Sequence, residues 1–323
     1  MAVQLSRRSF FALGAAAAAL PSLAARADEG KTDAPPASPA ATADAPFLKT
    51  VKFEKISIAV GAMEPFKAIH CSDTHTNYMN VGDFLGPCCE RRYGLHEHRR
   101  AQANPMPRFA ACVLKARLLN APLIHTGDVW DFDSMENMAI VQEAFRHVGE
   151  VFYAIGNHEI KGWRQPEDFS MPKWRDRIQP YLPNSVLYAS KVMHGVNFVS
   201  FDDTGYSFDR QADIERFVKA EFAKGLPVVV AVHEPFFTEE QLEQLVAGSV
   251  NHKPIDPKNR ASYFYGTKKH ERKFVDWMLA QPNMKAVLCG HLHFAAQVRL
   301  SDTVTQYMAG AAKNGEAYEI DFT

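Results

Sequence analysis

The chain has 323 residues, 46% of them hydrophobic and 23% charged, with 36 basic side chains against 37 acidic ones. This is the composition of an ordinary globular protein. Lacking a large positive excess, it has no long-range attraction to nucleic acid or an anionic membrane, so any attraction for phosphate must be local.

The chain begins with Ser6-Arg7-Arg8-Ser9-Phe10-Phe11, an Ala-rich run from Ala12 to Leu20, and the small-x-small ending Ala25-Arg26-Ala27. A basic head, a short apolar middle and such an ending lay out a secretory signal over residues 1–27, too short to span a bilayer stably. The paired arginines resemble a bacterial twin-arginine signal. That resemblance implies passage of the folded chain through the twin-arginine export machinery, a periplasmic or secreted location and no stable membrane anchor. An ordinary secretory signal or an uncleaved anchor is the alternative. Removing residues 1–27 takes away Arg7, Arg8 and Arg26 but no acid, leaving 33 basic against 37 acidic residues. Residues 28–50 read as a linker: up to Pro46 they are dominated by Ala, Pro, Asp, Thr and Ser, with no aromatic to build a core. One domain is expected over residues 51–323, since no second linker or internal repeat follows.

Within it, short apolar runs are each followed by a polar cluster. Phe66 to Cys71 leads to Asp73-Thr74-His75, Leu123 to Thr126 to Gly127-Asp128, and Val151 to Ile155 to Gly156-Asn157-His158-Glu159. Val228 to Val232 leads to His233, and Ala286 to Cys289 to Gly290-His291-Leu292-His293. These runs predict buried strands. Loops beyond strand carboxyl ends are where α/β sheets place their sites, so five clusters at five such ends predict one crevice. Gly127, Gly156 and Gly290 would let the backbone turn and approach an ion or phosphate. The chemistry is that of two divalent cations about 3.5–4 Å apart, which need a bridging carboxylate, several neutral imidazoles and an amide or carboxylate oxygen. Asp128 suits the bridge and Asn157 the amide.

Helices are predicted at Pro107–Leu119, Met135–Val148, Arg210–Lys224, Glu239–Val246 and Thr267–Leu279, the last with Phe274, Trp277 and Met278 on one core-facing side. Val196–Phe201 predicts a further strand ending in Asp202-Asp203, a pair that either edges the site or caps a turn. The late runs Ala295–Leu300, Thr303–Met308 and Ala317–Phe322 read as an antiparallel meander.

Taken together and in order, Asp-x-His, Gly-Asp, Gly-Asn-His-Glu, His and Gly-His-x-His resemble the calcineurin-like metallophosphoesterase superfamily, over most of the chain from Phe66 onward. The resemblance implies an α/β sandwich of two mixed β-sheets flanked by α-helices, in four αββα layers. It implies two divalent metal ions, with Asp73, His75 and His293 on the first, Asn157, His233 and His291 on the second, and Asp128 bridging. Manganese, iron or zinc would all suit this donor set. His158 is implied to face substrate, not metal, and to stabilise the transition state or protonate the leaving oxygen. The implied reaction is hydrolysis of a phosphomonoester or phosphodiester by a metal-bridging hydroxide on a small phosphoester substrate, with no nucleic-acid partner; a scaffold that binds metal without turnover is the alternative. Members of the purple acid phosphatase type carry a tyrosine three residues after the bridging aspartate. Asp131 stands there instead, so a tyrosinate-iron site is not expected, and Asp131 is a candidate hydrogen-bond partner for a ligand histidine.

Two segments read as irregular. Residues 76–106 form an insertion beside the first cluster, a candidate lid, in which Arg91, Arg92, Arg99 and Arg100 could fork onto phosphate oxygens, while His96 and His98 read as surface residues. Residues 159–180 hold Trp163, Phe169 and Trp174 among Lys161, Arg164 and Lys173, a mixture suited to packing or to stacking a base or sugar. Cys71 and Cys289 are expected to be buried and free, and one disulfide is possible among Cys88, Cys89 and Cys112. No spacing suits a structural zinc site, and neither a His-Glu-x-x-His helix nor a Gly-x-Ser-x-Gly elbow of a hydrolase is present.

If the metals are loaded before export, Lys at both Arg7 and Arg8 leaves unprocessed chain in the cytoplasm, read by fractionation and size; normal export by the unfolded-chain route contradicts it.

Overall fold

The computed structural model describes residues 46–79, 105–160, 171–205, 207–238, 260–261 and 263–323. The expected leader, the helix Glu239–Val246 and the cysteine pair Cys88-Cys89 lie outside them. Among the described residues, no helix is long and apolar enough to cross a membrane.

The elements follow in order as β1 (Lys52–Ile58), β2 (Phe66–Cys71), α1 (Met106–Leu119), β3 (Leu123–Thr126), α2 (Met135–Arg146) and β4 (Val151–Ala154). Then come the single turn α3 (Asn157–Ile160), α4 (Met171–Ile178), β5 (Tyr188–Met193), β6 (Val196–Phe201), α5 (Gln211–Phe222) and β7 (Val228–Ala231). The chain ends with α6 (Lys269–Leu279), β8 (Met284–Cys289), β9 (Ala296–Arg299), β10 (Thr305–Met308) and β11 (Glu316–Phe322). Helix limits follow local chemistry: Pro107 opens α1, Asn120 closes it in the left-handed region, and Ser134 caps α2 by accepting the Asn137 N–H at 3.0 Å.

Two mixed sheets result, ordered β1-β11-β2-β3-β4 and β5-β6-β7-β8-β10-β9. β3, β6 and β7 are buried along their whole length, and β7, Val228–Ala231, accordingly runs apolar without alternation. Ala68, Ile124, Phe152, Phe198, Val229 and Leu288 fill the space between the sheets. Each of these side chains larger than Ala68, moved fully from water, contributes roughly 1.5–3 kcal/mol. Outside the first sheet pack α1, α2 and α4 through Phe109, Val141 and Ile178; outside the second pack α5 and α6 through Val218, Phe274 and Met278. The molecule is thus the two-sheet, helix-flanked α/β sandwich that the resemblance implied.

Four expectations change. The late meander is only a hairpin: β9 and β10 pair antiparallel, but β11 leaves for the other sheet, parallel to β1 and antiparallel to β2. A meander strand would leave one face in water, whereas Ala317, Tyr318, Ile320 and Phe322 are all buried. Residues 46–50, grouped by composition with the linker, form a 3-10 turn whose Phe47 and Leu48 pack on the first sheet's helical side. The segment 159–180 holds α4, and Trp174 there is core, 7% exposed. Finally, Cys112 is buried and free like Cys71, which it faces through a thiol contact.

On the outer face of β11, Glu319 is paired with Lys115 at 2.9 Å and Lys67 at 3.3 Å, and Lys67 also meets Asp321. Burial opposes the Glu319 charge, but the two lysines outweigh it and hold the carboxyl below its ordinary range. A carboxyl depressed by folding stabilises the protein above its unfolded pKa, and that contribution is lost as pH falls through the folded value. Glu319→Gln is therefore expected to cost about 1–2 kcal/mol in urea denaturation at pH 7, with the two proteins converging below about pH 4.

Candidate metal centre

Each ligand cluster begins where a strand stops. Asp73 and His75 follow β2, Asp128 follows β3, Asn157 opens α3 after β4, His233 follows β7, and His291 and His293 follow β8. The first four residues come from one sheet and the last three from the other, and all seven converge.

Their donor atoms form two groups, Asp73, His75, Asp128 and His293, and Asp128, His233 and His291. In the first, Asp73 Oδ1 lies 3.1 Å from His293 Nε2 and 3.6 Å from His75 Nε2, and the two imidazole nitrogens are 3.2 Å apart. In the second, His233 Nε2 lies 3.1 Å from His291 Nδ1, 3.1 Å from Asn157 Oδ1 and 3.3 Å from Asp128 Oδ2. Asp128 Oδ2 is also 3.6 Å from His75 Nε2, so one oxygen faces both groups. Ligand atoms bound at about 2.0–2.2 Å to a common ion stand roughly 3–3.5 Å from one another, the separations found here. Asp73 Oδ1 is buried with no hydrogen-bond partner, as expected of an oxygen reserved for a cation.

The electrostatics agree. At Asp73 burial opposes the charge, yet His293 and His75 outweigh it and hold the carboxyl well below its ordinary range; Asp128 is likewise lowered, chiefly by His233. His233 is pushed well above the usual imidazole range, because Asp128 and Asp73 outweigh its burial. Such carboxylates demand positive charge, which a proton or a metal ion can supply, so metal uptake here releases protons.

Backbone conformation marks the same residues. Among the described residues, seven other than glycine have positive φ, and five of them are ligand candidates: Asp73 (54°), His75 (49°), Asp128 (53°), His291 (73°) and His293 (62°). Each costs of order 1–3 kcal/mol, held only where surroundings over-determine it. Lateral bonds between loops do so here, from Asp73 N–H to the Gly127 carbonyl at 3.0 Å and from His75 N–H to the Asp128 carbonyl at 2.9 Å. At Gly290 an added Cβ would lie 1.8 Å from Ser72 Oγ, and at Gly156 it would lie 2.2 Å from the Asp128 nitrogen. At these two positions, then, glycine admits a neighbouring ligand loop.

Around the donors lie their supports. Asp131 Oδ1 is 3.2 Å from His75 Nδ1, the contact expected of it, and also 3.1 Å from His158 Nδ1. His158 is partly exposed, with Nε2 3.9 Å from Asp128 Oδ2; it lies outside these two groups but close to His75 and Asp131 in a third. Burial opposes its charge, but Asp128 and Asp131 raise its pKa above the ordinary value. Sequence reasoning missed Glu159, whose buried carboxylate accepts from the N–H groups of Gly156 (2.7 Å), Asp128 (2.9 Å) and Trp130 (3.3 Å). Burial, then Asp128, pushes that carboxyl up to about 7. Of the Asp202-Asp203 pair, Asp202 accepts from Thr204 and Ser207 in a turn, while Asp203 accepts the backbone N–H of His233 at 3.2 Å and of Glu234 at 2.7 Å. Both earlier readings hold, one for each residue. Arg91, Arg92, Arg99, Arg100, His96 and His98 lie outside the described residues, as do Trp163, Phe169, Lys161 and Arg164.

Solved structures align with the chain at low identity. A dimetal phosphatase from Danio rerio is 12% identical, over 78% of this chain and 89% of that one, with a TM-score of 0.43. The phosphopantetheinyl hydrolase of Mycobacterium tuberculosis is 15% identical, over 77% and 90%, at 0.44. A purple acid phosphatase from yellow lupin, Lupinus luteus, is 9% identical, over 79% and 45%, at 0.45. Comparison with curated protein sequences finds no significant match. A model of the calcineurin-like phosphoesterase family matches residues 66–295, a span that contains every donor of the two groups. The chain belongs to the calcineurin-like phosphoesterases.

Proposed function

We propose that this protein is an exported, binuclear metal-dependent hydrolase of small phosphoesters. The observation that carries the reading is the shared oxygen, Asp128 Oδ2, which faces His75 in one donor group and His233 in the other. Asp73, His75 and His293 would hold one divalent ion and Asn157, His233 and His291 the other, with Asp128 common to both. Manganese, iron and zinc all accept this mixture of imidazole, carboxylate and amide. Two such ions supply an activated water and neutralise charge on a phosphoryl group.

The chain's own residues do the rest. Asp131 accepts from His158 Nδ1, which leaves Nε2 as the atom that can carry a proton toward the centre. Holding that proton above the ordinary imidazole pKa suits His158 to protonate a leaving oxygen or to hydrogen-bond developing negative charge. Of the chain's thirteen histidines, four supply donors to this one crevice, with a fifth, His158, as its acid. Export rests on the sequence of residues 1–27, with no contribution from the described fold.

The metal-loaded protein is expected to turn over at least one of a set of aryl phosphomonoesters, aryl phosphodiesters, nucleotides, cyclic nucleotides and lipid head-group phosphates. No turnover on any of them leaves the non-catalytic scaffold. Asp128→Asn is expected to abolish most turnover and to lower metal content, measured by elemental analysis. His158→Ala should lower kcat by about 10²- to 10⁴-fold with both metals retained; equal metal loss in the two variants removes His158 from the role of acid.

A further inference from the structure

Beneath the donors, two fully buried histidines are used by nothing described so far. His70 belongs to β2 and His125 to β3, adjacent parallel strands whose register sets Cys71 opposite His125. Each imidazole reaches across to the place where the other strand meets its ligand loop. His70 Nε2 meets Thr126 Oγ1 at 3.0 Å, immediately before Gly127-Asp128, and His125 Nε2 meets Thr74 Oγ1 at 2.8 Å, between Asp73 and His75. The two contacts lie on opposite faces of the sheet. His70 stacks toward Tyr318 on the side facing the other sheet, while His125 stacks on Tyr153 and lies edge-on to Phe109 on the helical side.

This arrangement has a cost that calls for a reason. Both Nδ1 atoms are buried without a hydrogen-bond partner, and burial holds both rings neutral. An unmet buried N–H is rarer than an unmet acceptor, so the ring proton belongs on Nε2, where each imidazole donates it to its threonine. Leucine or phenylalanine would fill the same apolar space with no orphaned nitrogen. What they could not do is grip a hydroxyl. Thr74 sits between two residues in left-handed backbone, at 54° and 49°, and Thr126 sits two residues before a third at 53°.

We propose that His125–Thr74 and His70–Thr126 form a crossed clasp whose task is to position the ligand loops, so that the first donor group is set by Thr74 and the shared oxygen of Asp128 by Thr126. The four are positioning residues, since none touches the centre directly. The inference rests on the binuclear reading above. Neither strand's loop can shift without breaking a bond to its neighbour, which makes the pair of loops move as one body. Partners of this kind, one bond removed from a metal's ligands, typically change affinity or activity by 10- to 100-fold when lost.

The test is titration of the metal-free protein with cobalt(II) alone, followed by visible absorption, with thermal melting of each variant as a control. Wild type is expected to take up two ions. Thr74→Val should fold and bind one ion as wild type does, the other about 10- to 100-fold more weakly with a shifted spectrum, and Thr74→Ser should restore both. Thr126→Val should perturb both ions, because Asp128 serves both. A loss of melting temperature with wild-type affinities and spectra would make the clasp merely structural and overturn the proposal, leaving the metal reading intact. Absence of cobalt binding in wild type would overturn the reading and the clasp together. Should Thr74→Val fail to melt cooperatively, Thr74→Val with His125→Phe, which also removes the unmet donor, carries the same comparison.

Discussion

One oxygen ties the two halves of this molecule together. Asp128 Oδ2 stands 3.6 Å from a histidine of the first sheet and 3.3 Å from one of the second. The centre is therefore a joint between sheets, with Asp73, His75, Asp128 and Asn157 supplied by one and His233, His291 and His293 by the other. Its dimensions depend on the separation of the sheets, ordinarily about 10 Å, which is set by the side chains packed between them. Ile124 and Phe152 from one side and Val229 and Leu288 from the other lie in strands that end in ligand candidates. Packing at native density transmits small changes, so the inter-sheet core is part of the site although it touches no donor.

Bringing two carboxylates and five imidazoles so close demands that the chain oppose its own preferences. Five ligand candidates adopt left-handed backbone, and Asp73 Oδ1 is buried without a hydrogen bond. The opposing forces are local and identifiable. Glu159 gathers the N–H groups of Gly156, Asp128 and Trp130, joining the second loop to the third; Asp203 holds the backbone of His233 and Glu234; the Gly290 N–H donates to the His233 carbonyl at 3.0 Å. All are hydrogen bonds from main chain, several to buried carboxylates, the stronger class. The hydrophobic core thus stabilises the sheets, and buried acids convert that stability into fixed positions for the loops.

How legible this was in the sequence follows from the kind of contact involved. The runs preceding each cluster were readable because strands buried on both faces are mostly apolar, and the order of motifs then located the crevice. β11 was not, because Ala317 to Phe322 alternates as an edge strand would while its β2 partners lie more than 240 residues away in the chain, at Phe66 to His70. Gly156 and Gly290 announced close approach without saying to what. Glu159 was visible as a letter in a motif, but its work is done on backbone N–H groups that every residue has. The hydroxyls of Thr74 and Thr126 gave no signal at all, since crossed contacts depend on a register that only the folded sheet defines. Asp131 was the exception: a residue type that fails one chemistry, that of a tyrosinate, suggests another.

The second role of Asp131 shows how much tautomer control this chain builds around its donors. Its Oδ1 has lone pairs for two donors and lies close to His75 Nδ1 and His158 Nδ1 alike. Accepting from both fixes protons on both Nδ1 atoms, which strips the proton from His75 Nε2, where a lone pair must face the first group, and reserves His158 Nε2 for proton exchange. The Thr126 carbonyl does the same for His233, accepting from Nδ1 at 2.7 Å so that Nε2 faces Asp128. Thr126 therefore meets His233 through its carbonyl and His70 through its hydroxyl, placing one small residue between a ligand and the strand beside it. A ligand candidate and the candidate acid lie close to a single carboxylate oxygen, but His158 Nδ1 is also 3.1 Å from the Asp131 carbonyl, which no substitution removes, so a side-chain change at Asp131 falls first on His75 and the first donor group.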